Sequence, residues 1–337
     1  MKNQDFLIKI LDNNKILNLE FYKKLFLIRR SEEKIIELYP ENEMRMPMHM
    51  SMGGEAIAVG VCHALGIKGQ VFGSYRSHAI YLAKTQDTNN FFAEIYGKTT
   101  SSLKGKCGSM HLCAPDFGFM GASAIVASII PVACGTAFAN KRKNNGKIVS
   151  VFFGDGAVDE GNFWESLNVA SLMKLPILFV CEDNALAVHT PRHQRQGYDS
   201  IVSIVSKFNC NVLEESTTDT EVIYRKTCQA IELIRTTQMP CFLYLRYYRY
   251  LEHVGTKEDF DAGYRSKEEF EKWHKKDPVN LQRKKLLRFG IEEEQIRKLE
   301  VEIEGRIENS IRLAQKAPFT EISELHRDVF YEENKKD

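Results

Sequence analysis

Two short polar clusters stand where chemistry could be done. Gly154-Asp155-Gly156 closes the apolar run 148–153, and Asp183-Asn184 closes the apolar run 177–181. Asn184 follows Asp155 by 29 positions, enough for one strand-to-strand crossover through a helix. If the two runs are adjacent parallel strands, a carboxylate and an amide oxygen meet at one sheet edge. These are hard donors of the kind that magnesium or calcium takes. The two glycines would let a phosphate on that metal approach the main chain. Taken alone, Gly-Asp-Gly is a common turn and Asn a common cap.

The elements needed to position these groups are legible. Around the first cluster, a β-branched and aromatic strand (148–153) leads through the turn into a helix whose inward face carries Phe163, Leu167, Ala170 and Met173. Leu175-Pro176 then opens a second strand, 177–181. Apart from Ser150 both strands are apolar throughout, as a parallel sheet covered on two faces requires. A third strand, 241–246, follows a helix around 221–235. Residues 20–39 form an amphipathic leading helix with Leu25, Ile28, Ile35 and Leu38 on one face, closed by Pro40, and 54–65 a deeply buried helix. From 98 to 119, Gly105, Gly108 and Gly118 among Ser, Lys and His give loop composition, where function often resides. After Ser266 the chain turns charged and helical. These readings predict an α/β fold, a doubly wound parallel sheet flanked by helices with a helical C-terminal segment. The expected division is an N-terminal helical segment at 1–40, an α/β domain at 41–265 and a helical extension at 266–337.

Composition sets limits. Lys plus Arg (46) nearly cancel Asp plus Glu (45), so no overall positive field would gather nucleic acid or anionic lipid. The eight cysteines are scattered without a CxxC pair, as expected of reduced, core-filling thiols in the cytoplasm. The start of the chain, 1–11, has a short apolar stretch broken by Lys9. No apolar run approaches the roughly 18 residues that a membrane span needs, so export and membrane insertion are not expected.

Gly154-Asp155-Gly156 with Asp183-Asn184 resembles the thiamine diphosphate signature, with Asp183 standing where its first Asn belongs. Further motifs extend the likeness to the alpha subunits of pyruvate, branched-chain 2-oxo-acid and acetoin dehydrogenases. They include Gly53-Gly54-Glu55-Ala56, Tyr75-Arg76-Ser77-His78, Gly105-Lys106-Cys107-Gly108-Ser109-Met110-His111, Ile125-Val126 with Pro131, Gly161, and Tyr248-Arg249-Tyr250 with His253. The likeness runs in one register from about 21 to 331. It implies thiamine diphosphate as cofactor, with Mg2+ held by Asp155, Asn184 and the main-chain carbonyl of Leu186. Tyr75 and Arg76 would grip the diphosphate, Gly156 and Ala157 would meet it through the backbone, and Ala124 and Val126 would border the aminopyrimidine ring. His253 would contact the diphosphate and reach the reacting carbon, and His49 would lie near the substrate carbonyl. His78 is expected to order the loop after Arg76, and His111 to do similar work. The serine phosphorylated in the mitochondrial enzymes is absent, because Leu251-Glu252-His253-Val254 replaces His-Gly-His-Ser.

In such enzymes the glutamate that activates the aminopyrimidine belongs to a beta subunit. This chain has no second α/β domain to supply it, so a beta partner is expected, in an α2β2 assembly. Three functions compete. The first is an E1-type enzyme that decarboxylates a 2-oxo acid and passes the acyl unit to lipoamide on a lipoyl-bearing acyltransferase. The second is a non-oxidative or carboligating enzyme acting on a small or sugar-linked substrate without lipoamide. The third is a cofactor-free scaffold, against which the joint presence of Asp155, Asn184, Tyr75, Arg76 and His253 argues.

Overall fold

The computed structural model describes residues 2–327, with side chains from 13 onward. The end of the expected C-terminal extension, including Tyr331, and the side chains of the N-terminal apolar stretch lie outside them. In chain order the elements are α1 (Lys2–Leu38), α2 (Glu55–Leu65), β1 (Gln70–Ser74), α3 (His78–Thr85), α4 (Thr88–Ile95), β2 (Phe119–Ser123), α5 (Ile129–Lys143), β3 (Val149–Gly154) and α6 (Gly161–Leu172). There follow β4 (Ile177–Asp183), β5 (Leu186–Ala187), β6 (Thr190–Pro191), α7 (Ile201–Val205), β7 (Asn211–Glu215), α8 (Thr220–Thr237), β8 (Cys241–Arg246), α9 (Lys267–His274), α10 (Pro278–Arg288) and α11 (Glu293–Lys316).

Six strands pair in the order β2-β1-β3-β4-β8-β7, every pair parallel. Successive side chains of a strand face opposite ways, and both faces here are apolar. Phe152, Leu178, Val180 and Leu243 join one core with the helices α1, α2, α3, α4 and α8. Val151, Phe153, Phe179, Cys181 and Phe242 join a second core with α5 and α6. The sheet is therefore doubly wound. The expected strands appear at 148–153, 177–181 and 241–246 within a residue or two, whereas β1, β2 and β7 are five residues each and carry too little periodicity to stand out. The leading helix is longer than expected, and its Leu25, Ile28 and Ile35 are buried as its spacing predicts. One core assignment is corrected. Met173 is 41% exposed because α6 ends at Leu172, so Met173 caps the helix rather than continuing its Phe163, Leu167, Ala170 face.

Behind the sheet, α1 packs on α10 and α11, and α11 on α4. Arg29 of α1 bridges Glu55 at the start of α2 (2.7 Å) and Asp277 at the cap of α10 (2.8 Å), all three buried. The Gly53-Gly54-Glu55 motif belongs to this frame. Gly53 has φ +96, and a Cβ there would meet the Tyr248 carbonyl oxygen at 2.0 Å, so no other residue fits.

Candidate active site

The strand order reverses at β1, whose neighbours β2 and β3 leave on opposite sides. Ligand sites of open α/β sheets lie at such switch points, beyond the carboxyl ends of the strands. A cavity of about 290 Å³ lies there, lined by Ser74, Tyr75 and Arg76 at the end of β1, Ser123 and Val126 at the end of β2, Gly154 to Ala157 at the end of β3, Glu182 and Asn184 at the end of β4, and Tyr247 after β8. Five strand ends therefore converge on one space. Leu186, from the β5–β6 hairpin, and His253 complete it.

The two polar clusters thus reach the same place, because β3 and β4 are parallel neighbours with Gly154 opposite Glu182. Asp155 is buried, and its Oδ1 accepts a long 3.4 Å hydrogen bond from the Asn184 N–H. Burial and the nearby Asp183 push its carboxyl up to about 7, against the pull of Arg195, whose guanidinium is ion-paired to Oδ2. The Asn184 side-chain oxygen accepts from the Leu186 N–H at 3.0 Å and its NH2 donates to Tyr247 Oη at 3.1 Å. An amide oxygen has two lone pairs, so one remains for a ligand. Asp183 faces away: Tyr244 Oη and the Ala185 N–H donate to it, and Arg192 and Arg246 lie within 3.7 Å. It is a buried anchor of the hairpin and leaves Asn184 as the donor facing the cavity. Gly154 meets nothing closer than 4.0 Å at its Cβ position and leaves the cavity open, whereas Gly156 makes room for the Ala187 methyl, 2.9 Å from where its own Cβ would stand.

On the opposite wall, Arg76 donates to the carbonyls of Met50 (2.5 Å) and His253 (3.0 Å), keeping the rest of its five donors for an anion. Tyr75, His49 and His253 form a cluster of rings with centroids 4.5 to 5.7 Å apart. Burial, then Arg76 and Arg249, lower the His253 imidazole to about 4. Arg249 Nη1 lies 3.3 Å from its Nδ1. Arginine can only donate, so Nδ1 accepts and neutral His253 carries its proton on Nε2. His49 is buried, lowered to about 3 by burial and the charge of Arg76, and its Nδ1 has no partner among the described residues. It lies one ring behind the cavity wall.

Tyr75, Arg76, Val126, Asp155, Gly156, Ala157, Asn184, Leu186 and His253 are therefore gathered in one cavity, while Ala124 and His49 are beside it but do not line it. His78 joins Glu32 of α1 (3.0 Å) to Ser109 (2.7 Å), tying the start of α3 to the glycine-rich loop. Exposed His111 lies 3.3 Å from the Ala122 carbonyl oxygen. Sequence reading missed four residues. Half-buried Glu182 lies on the cavity floor, where burial pushes its carboxyl up to about 8 with Arg76 pulling the other way. It could have been found, since period-2 alternation puts 182 on the same face as 184. Tyr247 could have been found by the strand-end rule that picked Asp155. Arg195 meets Asp155, 40 positions earlier, only through the tertiary fold, whereas the buried Arg249, read in the sequence only as part of a motif, reaches Leu251 and His253 within four residues.

The family model for the dehydrogenase E1 component matches residues 23–323. The alpha subunit of acetoin:2,6-dichlorophenolindophenol oxidoreductase of Bacillus subtilis (strain 168) is 32% identical over 310 residues, 92% of each chain. The pyruvate dehydrogenase E1 component alpha subunit of Zymomonas mobilis is 31% identical over 313 residues, 92% of this chain and 88% of that one. Its counterpart from Rhizobium meliloti is 31% identical over 314 residues, 93% and 89%.

Proposed function

The chain belongs to the dehydrogenase E1 component family, and from that premise we propose that it is the alpha subunit of a thiamine diphosphate-dependent enzyme that decarboxylates a 2-oxo acid and hands the acyl unit to an acceptor such as lipoamide on a lipoyl-bearing partner. The observation that carries the reading is the convergence of Asp155, Asn184 and the Leu186 segment with Arg76 and His253 in one cavity. The residues fit the group: hard oxygen donors on one wall suit Mg2+, and a guanidinium with free N–H groups on the other suits a diphosphate.

In this proposal Asp155, Asn184 and the Leu186 carbonyl hold Mg2+, Arg76 and Tyr75 grip the diphosphate, and Gly156 and Ala157 meet it through the main chain. Val126, with the neighbouring Ala124, borders the aminopyrimidine. When bound, thiamine diphosphate supplies a nucleophilic carbon that takes up the electrons released on decarboxylation. His253 is the catalytic residue. Its Nε2–H is a hydrogen-bond donor that needs no prior protonation and can stabilise charge developing on oxygen. His49, packed against Tyr75 and His253, fixes both rings from behind the cavity wall and is the second catalytic candidate, matching by resemblance a position near the substrate carbonyl. The carboxylate that activates the aminopyrimidine comes from a beta subunit, in an α2β2 assembly.

The test is reconstitution. Purified alpha chain with thiamine diphosphate, Mg2+ and a panel of 2-oxo acids should show no turnover, and adding the beta chain should produce it, with lipoamide or an artificial acceptor. Full turnover by the alpha chain alone would overturn the assignment. Turnover that needs neither lipoamide nor an oxidant would favour the non-oxidative reading.

A further inference from the structure

Arg195 has no place in the proposed chemistry, yet it is the most heavily committed side chain around Asp155. Its side chain is 10% exposed and that of Asp155 4%. One terminal nitrogen is ion-paired to Asp155 Oδ2. The other donates to the Asp155 carbonyl at 3.2 Å and is ion-paired to Asp159. Its Nε donates to the Thr190 carbonyl at 3.4 Å, and the adjacent Gln196 amide donates to the second Asp159 oxygen at 2.9 Å. Thr190 belongs to β6, paired with β5, which carries Leu186. One planar guanidinium therefore joins the turn bearing Asp155 to the hairpin bearing Leu186, two segments that nothing in the sheet ladder connects.

We propose that Arg195 is the positioning residue of the metal–diphosphate site: it takes Asp155 Oδ2 for itself and so directs Oδ1, with Asn184 and the Leu186 carbonyl, to one divalent cation. The proposal rests on the cofactor reading above. Partners behind a ligand fix its orientation, and removing one typically costs about 10- to 100-fold in metal affinity. A planar fork that holds two carboxylates at once has no equivalent in lysine, which offers a point charge. The opposing possibility is that Arg195 is a resident cation competing with the metal. The two differ in sign, because removing a competitor tightens metal binding and removing a brace weakens it.

The experiment is calorimetric titration of Mg2+ into the alpha–beta complex with thiamine diphosphate present, for wild type, Arg195→Gln, Arg195→Lys, Asp155→Ala and the Arg195→Gln/Asp155→Ala double variant. Arg195→Gln should weaken Mg2+ about 10- to 100-fold, with Arg195→Lys recovering part of the loss. The double variant should bind no worse than Asp155→Ala, because two residues acting through one contact are not additive. Hydrogen exchange of residues 185–195 in the ligand-free complex should rise in Arg195→Gln, while the global melting temperature changes little. Unchanged or tighter Mg2+ binding by Arg195→Gln, or equal losses with and without Asp155, would overturn the proposal. If wild type shows no Mg2+-dependent cofactor binding, or Asp155→Ala binds as wild type, the cofactor reading itself fails.

Discussion

The glycine-rich loop and the cavity both bury carboxylates, and they do so in opposite ways. In the glycine-rich loop, Glu94 of α4 is 1% exposed and accepts four hydrogen bonds. The Cys107 and Gly108 N–H groups donate to one oxygen at 2.8 and 2.7 Å, and Ser101 Oγ and the Gly105 N–H to the other at 2.6 and 2.9 Å. Gly105 can make this turn because its φ is +69 and a Cβ would come within 2.3 Å of the Gly97 carbonyl carbon. In the cavity, by contrast, Asp155 Oδ1 has one long hydrogen bond, and the Glu182 side chain has no hydrogen-bond partner among the described residues. A buried carboxylate costs several kcal/mol unless it is compensated. Glu94 is compensated by its own loop and so fixes the fold, whereas Asp155 relies on the Arg195 guanidinium at Oδ2 and keeps Oδ1 nearly free, and Glu182 has only the charge of Arg76 to offset its burial. The loop's Gly-Lys-Cys-Gly-Ser-Met-His motif, which by composition looked functional, wraps a structural anion and contributes nothing to the cavity lining.

The contrast can be broken most easily at Glu94. Glu94→Ala strands four donors and should destabilise the chain by about 3–5 kcal/mol, read from the denaturant midpoint. The molecules still folded should bind cofactor normally. A stable variant that has lost the cofactor would place Glu94 in the site and erase the distinction.

Asp155→Ala should show the reverse. Activity should fall ~10²-fold or more, about 2.7 kcal/mol at roughly 1.36 per decade, with Mg2+-dependent cofactor binding weakened and the ligand-free melting temperature little changed. Cofactor affinity equal to wild type by calorimetry would remove Asp155 from the metal site.

His253→Ala sharpens the picture on the other wall. Turnover should drop about tenfold and more than cofactor affinity does, because contacts made only in the transition state alter rate rather than binding. The stretch 250–260 should be protected from protease by cofactor in wild type and less so in the variant. Normal turnover would make His253 a bystander.

A further test reads pH. His49 and His253 have folded values lowered to about 3 and about 4, below the unfolded value near ~6.5. The unfolded chain therefore binds protons first, and stability falls as pH drops below ~6.5, levelling off below the folded values. The slope is at most ~1.4 kcal/mol per pH unit for each histidine. His49→Gln should flatten melting temperature against pH between 4 and 6. An unchanged profile would show that His49 is not held neutral.

Much of this was set locally. Apolar runs ending in Gly154-Asp155 and Asp183-Asn184, and the single helical segment between them, determine by strand period and crossover length that Asp155 and Asn184 share one sheet edge. The same logic settles the parallel sheet and its two covered faces. What sequence could not decide are contacts between residues far apart in the chain. The loop at 188–199 has no periodicity that aims Arg195 at Asp155, 40 positions earlier. Nothing in the local periodicity says that Glu94 gathers the glycine loop. Hydrogen bonds and ion pairs of that kind depend on how packed elements bring side chains within about 3 Å, and only the folded chain settles those distances.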